Sequence, residues 1–290
     1  MSAVPTLTPG EARGILYARA GAAKFGLSAR PAAPALAPLV ERYWIVTWDL
    51  RGQEPYPQRV LPAPVVNLTF GPGAFTRVTG VDRGVSCCVL AGSGRIFGVR
   101  FRPGGFHAFL RAPVSSITDR HVPIPRVFGA AGVAAIGEVR DADRAGAGDA
   151  ELARVVDRFL CGLGAELEPA ARAAAELVEQ VAADRGCTRV DGLARLAGVS
   201  SRTLQRLFAT YVGVSPKWVI RRYRIHEAAR RVAAAADPEV RVDWTQLAVD
   251  LGYCDQAHFT RDFTAMVGTP PDRYARDCAA AGAPGGADAG

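Results

Sequence analysis

The chain is nearly devoid of lysine. Lys24 and Lys217 are the only two, so arginine carries almost all of the positive charge behind a formal net charge of +7. Histidine is scarce as well: His107, His121, His226 and His258 complete the set. A metal-dependent enzyme built on a small β-domain needs a histidine cluster with a carboxylate. No His-x-His pairing occurs in the first half of the chain, so neither a metal nor a cofactor is expected. The six cysteines, at 87, 88, 161, 187, 254 and 278, contain no C-x-x-C spacing. That excludes zinc ribbons and dithiol redox motifs. Cys87-Cys88 sits in an apolar run and reads as a buried pair of small side chains, with a thiol sensor as the alternative. No run approaches ~18 uninterrupted apolar residues, so no transmembrane helix and no membrane partner are expected. The first residues show no basic stretch leading into an apolar run with a cleavage site, which points to the cytoplasm. No Gly-rich phosphate loop, Ser-His-Asp set or Cys-His pairing stands out, and no catalytic residue is assigned.

What the chain does have is two regions of different character. Its 290 residues suggest two domains, and 49% hydrophobic content is enough to fill their cores. Residues 1–20 and 279–290 are Ala- and Gly-rich and read as disordered tails. Residues 21–130 have β character. Tyr43–Trp48, Val60–Pro62, Val65–Phe70, Phe75–Val78, Cys87–Leu90 and Ile96–Phe101 are apolar or β-branched runs cut by Gly/Pro turns, the pattern of a small barrel or sandwich. Phe106–Leu110 reads as one helical turn. Residues 131–168 read as a linker and a connecting helix. The punctuation of Gly129–Ala150 marks the inter-domain region, and Leu152–Leu163 has helical spacing ended by Gly164. From Pro169 to residue 278 everything reads α, starting with a helix over Ala171–Ala183.

Within that helical region a single pattern occurs twice. The first copy runs Gly192-Leu193-Ala194-Arg195-Leu196-Ala197-Gly198-Val199-Ser200, then Leu204-Gln205-Arg206-Leu207-Phe208, then Gly213-Val214-Ser215-Pro216. The second runs Gln246-Leu247-Ala248-Val249-Asp250-Leu251-Gly252-Tyr253, then Phe259-Thr260-Arg261-Asp262-Phe263, then Gly268-Thr269-Pro270-Pro271. Each is a short apolar helix, a glycine turn and an amphipathic second helix, the layout of a helix-turn-helix. Thr188-x-x-Asp191 and Asp243-x-x-Gln246 read as capping boxes. Ser200 and Asp255 are placed to cap the second helices. Leu193, Leu196 and Ala197 are expected inward in the first copy, and Trp244, Leu247 and Leu251 in the second.

Removing the core stripe leaves an outward face. In the first copy it holds Ser201, Arg202, Gln205 and Arg206; in the second, Gln256, His258, Thr260 and Arg261. Arginine can grip the O6/N7 edge of guanine and glutamine the N6/N7 edge of adenine, so these faces suit reading in a major groove. A helix over Ser215–Ala236, with Pro216 in its first turn and Pro238 beyond its end, would join the copies as a rod of roughly 32 Å. The window Ser200–Arg231 holds eight basic residues against Glu227 alone, a net of +7 that equals the excess of the whole chain. Lys217, Arg221 and Arg222 are its candidates for phosphate contact.

Residues of about 170–276 resemble the DNA-binding domain of AraC/XylS-type transcription regulators. The resemblance rests on Leu193-Ala-x4-Val199-Ser200, Leu204-x-Arg206-x-Phe208, Gly213-x-Ser215-Pro216, Arg224 and Ala228. It continues with Gly252-Tyr253-x-Asp255-Gln256-x-x-Phe259-x-Arg261-x-Phe263 and Gly268-Thr269-Pro270-Pro271-x-x-Tyr274. It implies two helix-turn-helices on a linker helix, entering consecutive major grooves. Carried over by position, the base contacts fall to Arg202, Gln205 and Arg206, and to Gln256, His258 and Arg261. Val219 departs from the aromatic usual after Ser-Pro, and Trp218 is expected to supply that packing.

The resemblance also implies a cupin-like sensing domain ahead of the reader, with Phe97–Gly105 similar to its closing strand. The fold class expected is thus α+β in two domains. Candidate effector contacts are Trp44, Trp48, Arg100 and Arg102. Trp44 and Trp48 share one strand face, as do Arg100 and Arg102. Core aromatics with surface arginines are the competing explanation. The partners this reading admits are double-stranded DNA, a small-molecule effector, RNA polymerase and a second copy of the chain, with activation among the possible regulatory outcomes. The alternative is an enzyme, such as a DNA-repair methyl acceptor using Cys87 or Cys88, with the helical half as a targeting module.

Overall fold

The computed structural model describes residues 15–184, 186–234 and 242–280. A short helix α1 (Ala18–Ala22) precedes strands β1 (Gly26–Arg30), β2 (Val40–Leu50), β3 (Tyr56–Val60), β4 (Asn67–Phe70), β5 (Arg77–Thr79), β6 (Ser86–Leu90) and β7 (Gly92–Phe101). Helix α2 (His107–Leu110) and strand β8 (His121–Val122) lead into α3 (Ile124–Arg144) and α4 (Asp149–Gly162). The rest is helical: α5 (Pro169–Ala183), α6 (Val190–Leu196), α7 (Ser201–Tyr211), α8 (Pro216–Ala234), α9 (Trp244–Asp250), α10 (Gln256–Val267) and α11 (Pro271–Ala280).

The strand-rich region does not close into a barrel. Six strands form one antiparallel sheet in the order β1-β2-β7-β4-β5-β8, and β3 pairs with β6 in a second, two-stranded sheet. Alternation along the strands gives the large sheet two different faces. Tyr43, Ile45, Leu68, Phe97, Val99 and Phe101 point into a core shared with α2, α3 and α4. Trp48, Leu50 and Ile96 point the other way, into a smaller core with Phe25, Leu27 and Leu90.

Two further expectations change here. Gly129–Ala150, expected as inter-domain punctuation, is mostly α3, with a break in helical backbone at Gly129. Its Phe128, Gly132, Ala135 and Val139 are buried at helical spacing, so packing on the sheet overrides the glycines' poor propensity. α4 is tied down similarly: Asp157 accepts from Tyr43 Oη at 2.6 Å and from the Ala33 N–H at 2.9 Å. Residues 15–20 of the expected tail take part in the fold. Leu16 is buried, and the Tyr17 ring lies 5.3 Å from that of Tyr274, because two large apolar side chains find a seat between the two regions. The tail segments 1–14 and 281–290, and residues 235–236 with Pro238 of the expected linker helix, lie outside the described residues.

One core runs through the helical region, and it is not closed off from the strands. Leu193, Leu204, Phe208, Val219, Phe259 and Phe263 are its centre, and Leu16, Leu61 and Val81 contribute from the first region.

Candidate nucleic-acid interface

Each helix-turn-helix is built from local signals that the structure fulfils. Gly198 has φ +65° and Gly252 has φ +73°, left-handed backbone at which a Cβ is disfavoured. The turn from α9 to α10 is one residue longer than that from α6 to α7. Ser200 Oγ accepts from the Thr203 N–H at 3.1 Å, and Asp255 accepts from the His258 N–H at 2.6 Å, so both second helices start on a side-chain cap. Asp243 caps α9 through the Gln246 N–H at 2.9 Å. Thr188 does not cap α6, whose first turn has no side-chain partner. Its Cγ2 instead packs 2.9 Å from where a Cβ on Gly252 would sit, bracing the second turn. Leu196, expected inward, is 62% exposed, because the narrow inner face of this two-turn helix is taken by Leu193 and Ala194.

The outward faces are largely as expected. Arg202, Gln205 and Arg206 are exposed, and neither arginine forms an ion pair among the described residues. Ser201 is half-buried and gives its hydroxyl proton to Asp191 at 3.0 Å. On α10, Gln256, His258 and Arg261 are exposed and Thr260 is half-buried. Gln256 Oε1 accepts from Thr245 Oγ1 at 3.0 Å, leaving its amide protons outward. The His258 ring abuts Tyr253 edge-on, with Nε2 3.6 Å from Asp262.

The basic segment is used differently from its reading as a phosphate footprint. Arg221 Nε donates to Asp262 Oδ2 at 2.8 Å, and Nη2 donates to Oδ1 of the same carboxylate, which is buried on the inner side of α10. The Arg224 guanidinium lies 3.7 Å over the Tyr253 ring and donates to Leu251 O. Arg230 and Arg231 pair with Glu227, and Arg231 also with Asp250. Arg222 is only 7% exposed and donates Nε to Pro62 O at 2.6 Å. Burial pulls its guanidinium down to about 10. It faces the strand-rich region, so the expectation of a phosphate contact at Arg222 is corrected; Lys217 remains exposed. Sequence reasoning misses Asp262 and Tyr253 as partners of the linker helix. Their signal is the excess of arginine on α8, which needs internal counter-groups.

Trp218 packs in the helical core beside Val219, as expected, and also donates Nε1 to Arg83 O at 3.2 Å. Further contacts join the regions: Thr118 Oγ1 donates to Gly213 O at 2.6 Å, and the His107 and Tyr211 rings lie 4.5 Å apart beside Glu168.

In the strand-rich region, Trp44 and Arg100 line a cavity of about 540 Å³ between the two sheets. Trp48 is buried beneath it, with Nε1 donating to Ala91 O at 3.0 Å. Arg102 lies past the end of β7 and turns away to Ala37 O and Glu179, so it does not share the cavity with Arg100. Cys88 lines the cavity, and burial pushes its thiol up to about 11, the wrong direction for a nucleophilic thiolate. Cys87 is exposed rather than buried. Among the described residues, no group of three or more His, Cys, Asp or Glu could hold a metal, and no helix is long and apolar enough to cross a membrane.

Residues 193–277 match the family model of a helix-turn-helix domain, and residues 28–123 match a domain of unknown function, DUF6597. Among solved structures, the chain is similar to a transcriptional regulator from Chromobacterium violaceum described by its AraC-type DNA-binding domain. Identity is 23%, over 36% of this chain and 89% of that one, with a TM-score of 0.31. The C-terminal domain of AraT, a response regulator from Geobacillus stearothermophilus, matches at 20% identity over 39% of this chain and 88% of that one, with a TM-score of 0.33. ToxT from Vibrio cholerae matches at 10% identity over 88% of this chain and 97% of that one, with a TM-score of 0.36. With two capped helix-turn-helices on one linker helix in the matched segment, the C-terminal region of the chain is a helix-turn-helix domain.

Proposed function

We propose that α7 and α10 enter consecutive major grooves and read base edges through Arg202, Gln205 and Arg206, and through Gln256, His258 and Arg261, with Ser201 and Thr260 at the margins. The observation that carries this is the pair of exposed faces, each rooted in a side-chain cap and each holding arginine without an ion pair among the described residues. Helix α8 has 19 residues, about 28 Å at ~1.5 Å per residue, against roughly 34 Å between successive grooves on one DNA face. In this reading residues 169–278 are the reader, residues 21–130 sense a small-molecule effector, and residues 131–168 brace the sensor. The protein acts in the cytoplasm and is not an enzyme. Fluorescence anisotropy with DNA from its own promoter tests the reading. A specific fragment should bind at least ~10³-fold more tightly than random duplex at the same salt. Equal binding to both would overturn it.

A further inference from the structure

The cavity between the two sheets is graded from basic to apolar, row by row. Cross-strand partners on one face lie about 5 Å apart, so a row of paired residues forms a stripe across the sheet. The first stripe is Arg42–Arg100–Asn67–Thr79–His121, read through the pairings of β2, β7, β4, β5 and β8. The second is Trp44–Gly98–Thr69–Arg77. Val46–Ile96 follows as the third. Every one of these residues except Gly98 lines the cavity, and Gly98 lies beneath the Trp44 indole, where a Cβ would run into the ring. Phe25, Leu27 and Leu90 close the apolar end.

The basic end carries an unusual electrostatic burden. Arg42 and Arg100 are direct cross-strand partners, an arrangement of like charges that destabilises a sheet. The register shift between Val40 and Arg42 sets Glu41 beside them, where Arg100 Nε donates to it at 2.8 Å. Arg77, one stripe away, has no carboxylate partner among the described residues. The rim acids are engaged elsewhere: Asp119 accepts from Arg83, and Asp82 accepts from Ser86 Oγ. On the facing sheet Gln58 lines the cavity while 6% exposed, and its Oε1 is buried without a hydrogen-bond partner among the described residues.

We propose that this cavity binds an anionic amphipath, with its acid group on the Arg42–Arg100–Arg77 corner and its apolar body along Trp44, Val46 and Ile96. Occupancy reaches the reader through one loop. The loop between β5 and β6 lines the cavity through Asp82, Gly84 and Val85, while its Arg83 carbonyl holds Trp218 and its Val85 abuts Gly268. The coupling rests on the reading that α7 and α10 bind DNA.

The test uses a matched pair of fluorescent probes on the full chain: 8-anilinonaphthalene-1-sulfonate, which is anionic, and N-phenyl-1-naphthylamine, the same body without the acid. The anionic probe should bind about tenfold or more tightly than the neutral one, the size of one charge-assisted hydrogen bond. Arg77→Gln should abolish that preference and leave neutral-probe binding unchanged, with an unaltered circular dichroism spectrum. Equal affinities for the two probes in the unmodified protein, or an undiminished preference in Arg77→Gln, overturn the site. Anisotropy of labelled promoter DNA, with and without saturating anionic probe, should shift in apparent affinity by threefold or more. An unmoved affinity overturns the coupling while leaving DNA binding itself intact.

Discussion

The two helix-turn-helix units obey one local grammar and are anchored in different ways. Both have a left-handed glycine in the turn, a side-chain cap and a pair of buried aromatic or aliphatic anchors. The first unit rests on the strand-rich region: the Gly213 carbonyl beyond α7 accepts from Thr118, and the Tyr211 ring lies tilted against that of His107. The second unit is clamped to the linker helix, with Arg221 on Asp262 and Arg224 over Tyr253. The difference shows that arginine in this nearly lysine-free chain has two uses. Where a buried carboxylate or an aromatic face lies within reach it builds the fold; on α7 and at Arg261 it stays at the surface without an ion pair among the described residues. The second unit also meets the first region, through Val85 against Gly268 and Tyr17 against Tyr274, so what sets it apart is the arginine clamp to α8.

The largest effects should come from the shared core. Phe208→Ala and Phe263→Ala each empty a site at the centre of one unit, and both phenylalanines are fully buried. Each should cost about 3–5 kcal/mol in chemical denaturation. If the units were anchored alike, the two losses would carry the same spectroscopic signature. The asymmetry predicts instead that Phe208→Ala also disturbs Trp218 emission, because its unit is seated against the other region. Next comes Arg221→Ala, which leaves Asp262 buried without its bidentate partner. The arginine is one-third exposed, so the loss should lie near the lower end of the buried-pair range, about 3 kcal/mol. An effect under about 0.5 kcal/mol, the size typical of an exposed pair, would refute the clamp.

Much of this is legible in sequence because it is local. Turn glycines, caps at Ser200, Asp243 and Asp255, and the spacing of Leu204, Phe208, Phe259 and Phe263 depend on neighbours a few residues away. Charge allocation is not legible. Whether Arg221 meets a phosphate or Asp262 depends on a pairing across 41 residues, and the inward turn of Arg222 toward Pro62 spans 160. Helix α3 is hidden because its glycines look like breaks, and only docking on the sheet makes them tolerable. The cavity is half visible: alternation finds Trp44 and Arg100, but the stripe that joins Arg100 to Arg42 and His121 exists only once strand register is known. Arg102 misleads for the same reason, since alternation holds only while the strand continues, and β7 stops at Phe101.

Function should separate the two arginine populations with smaller energies. Arg206→Ala and Arg261→Ala should each weaken specific binding by about 1–3 kcal/mol and relax base preference at one position. Equal losses on specific and random duplex would remove them from base readout. Cap removal comes next. Ser200→Ala and Asp255→Ala should each destabilise by about 1 kcal/mol in thermal melts. The loss at Asp255 should be partly masked if the Arg221 clamp holds α10 in place, whereas Ser200 has no such support.

The smallest effect belongs to Lys217, and it bears most directly on how the basic segment is divided. It is the exposed cation at the start of α8, while Arg221, Arg222 and Arg224 beyond it are engaged inside the protein. A cation that meets only phosphate contributes through counterion release, independent of sequence. Lys217→Ala should therefore weaken specific and random duplex alike and reduce the slope of log affinity against log salt by about 1. Arg222→Met, in contrast, should leave that slope unchanged, since its guanidinium lies against Pro62 and not at the surface. A slope lowered by Arg222→Met and untouched by Lys217→Ala would mean that α8 turns a different face to DNA, and that the internal engagement of its arginines is released when DNA binds.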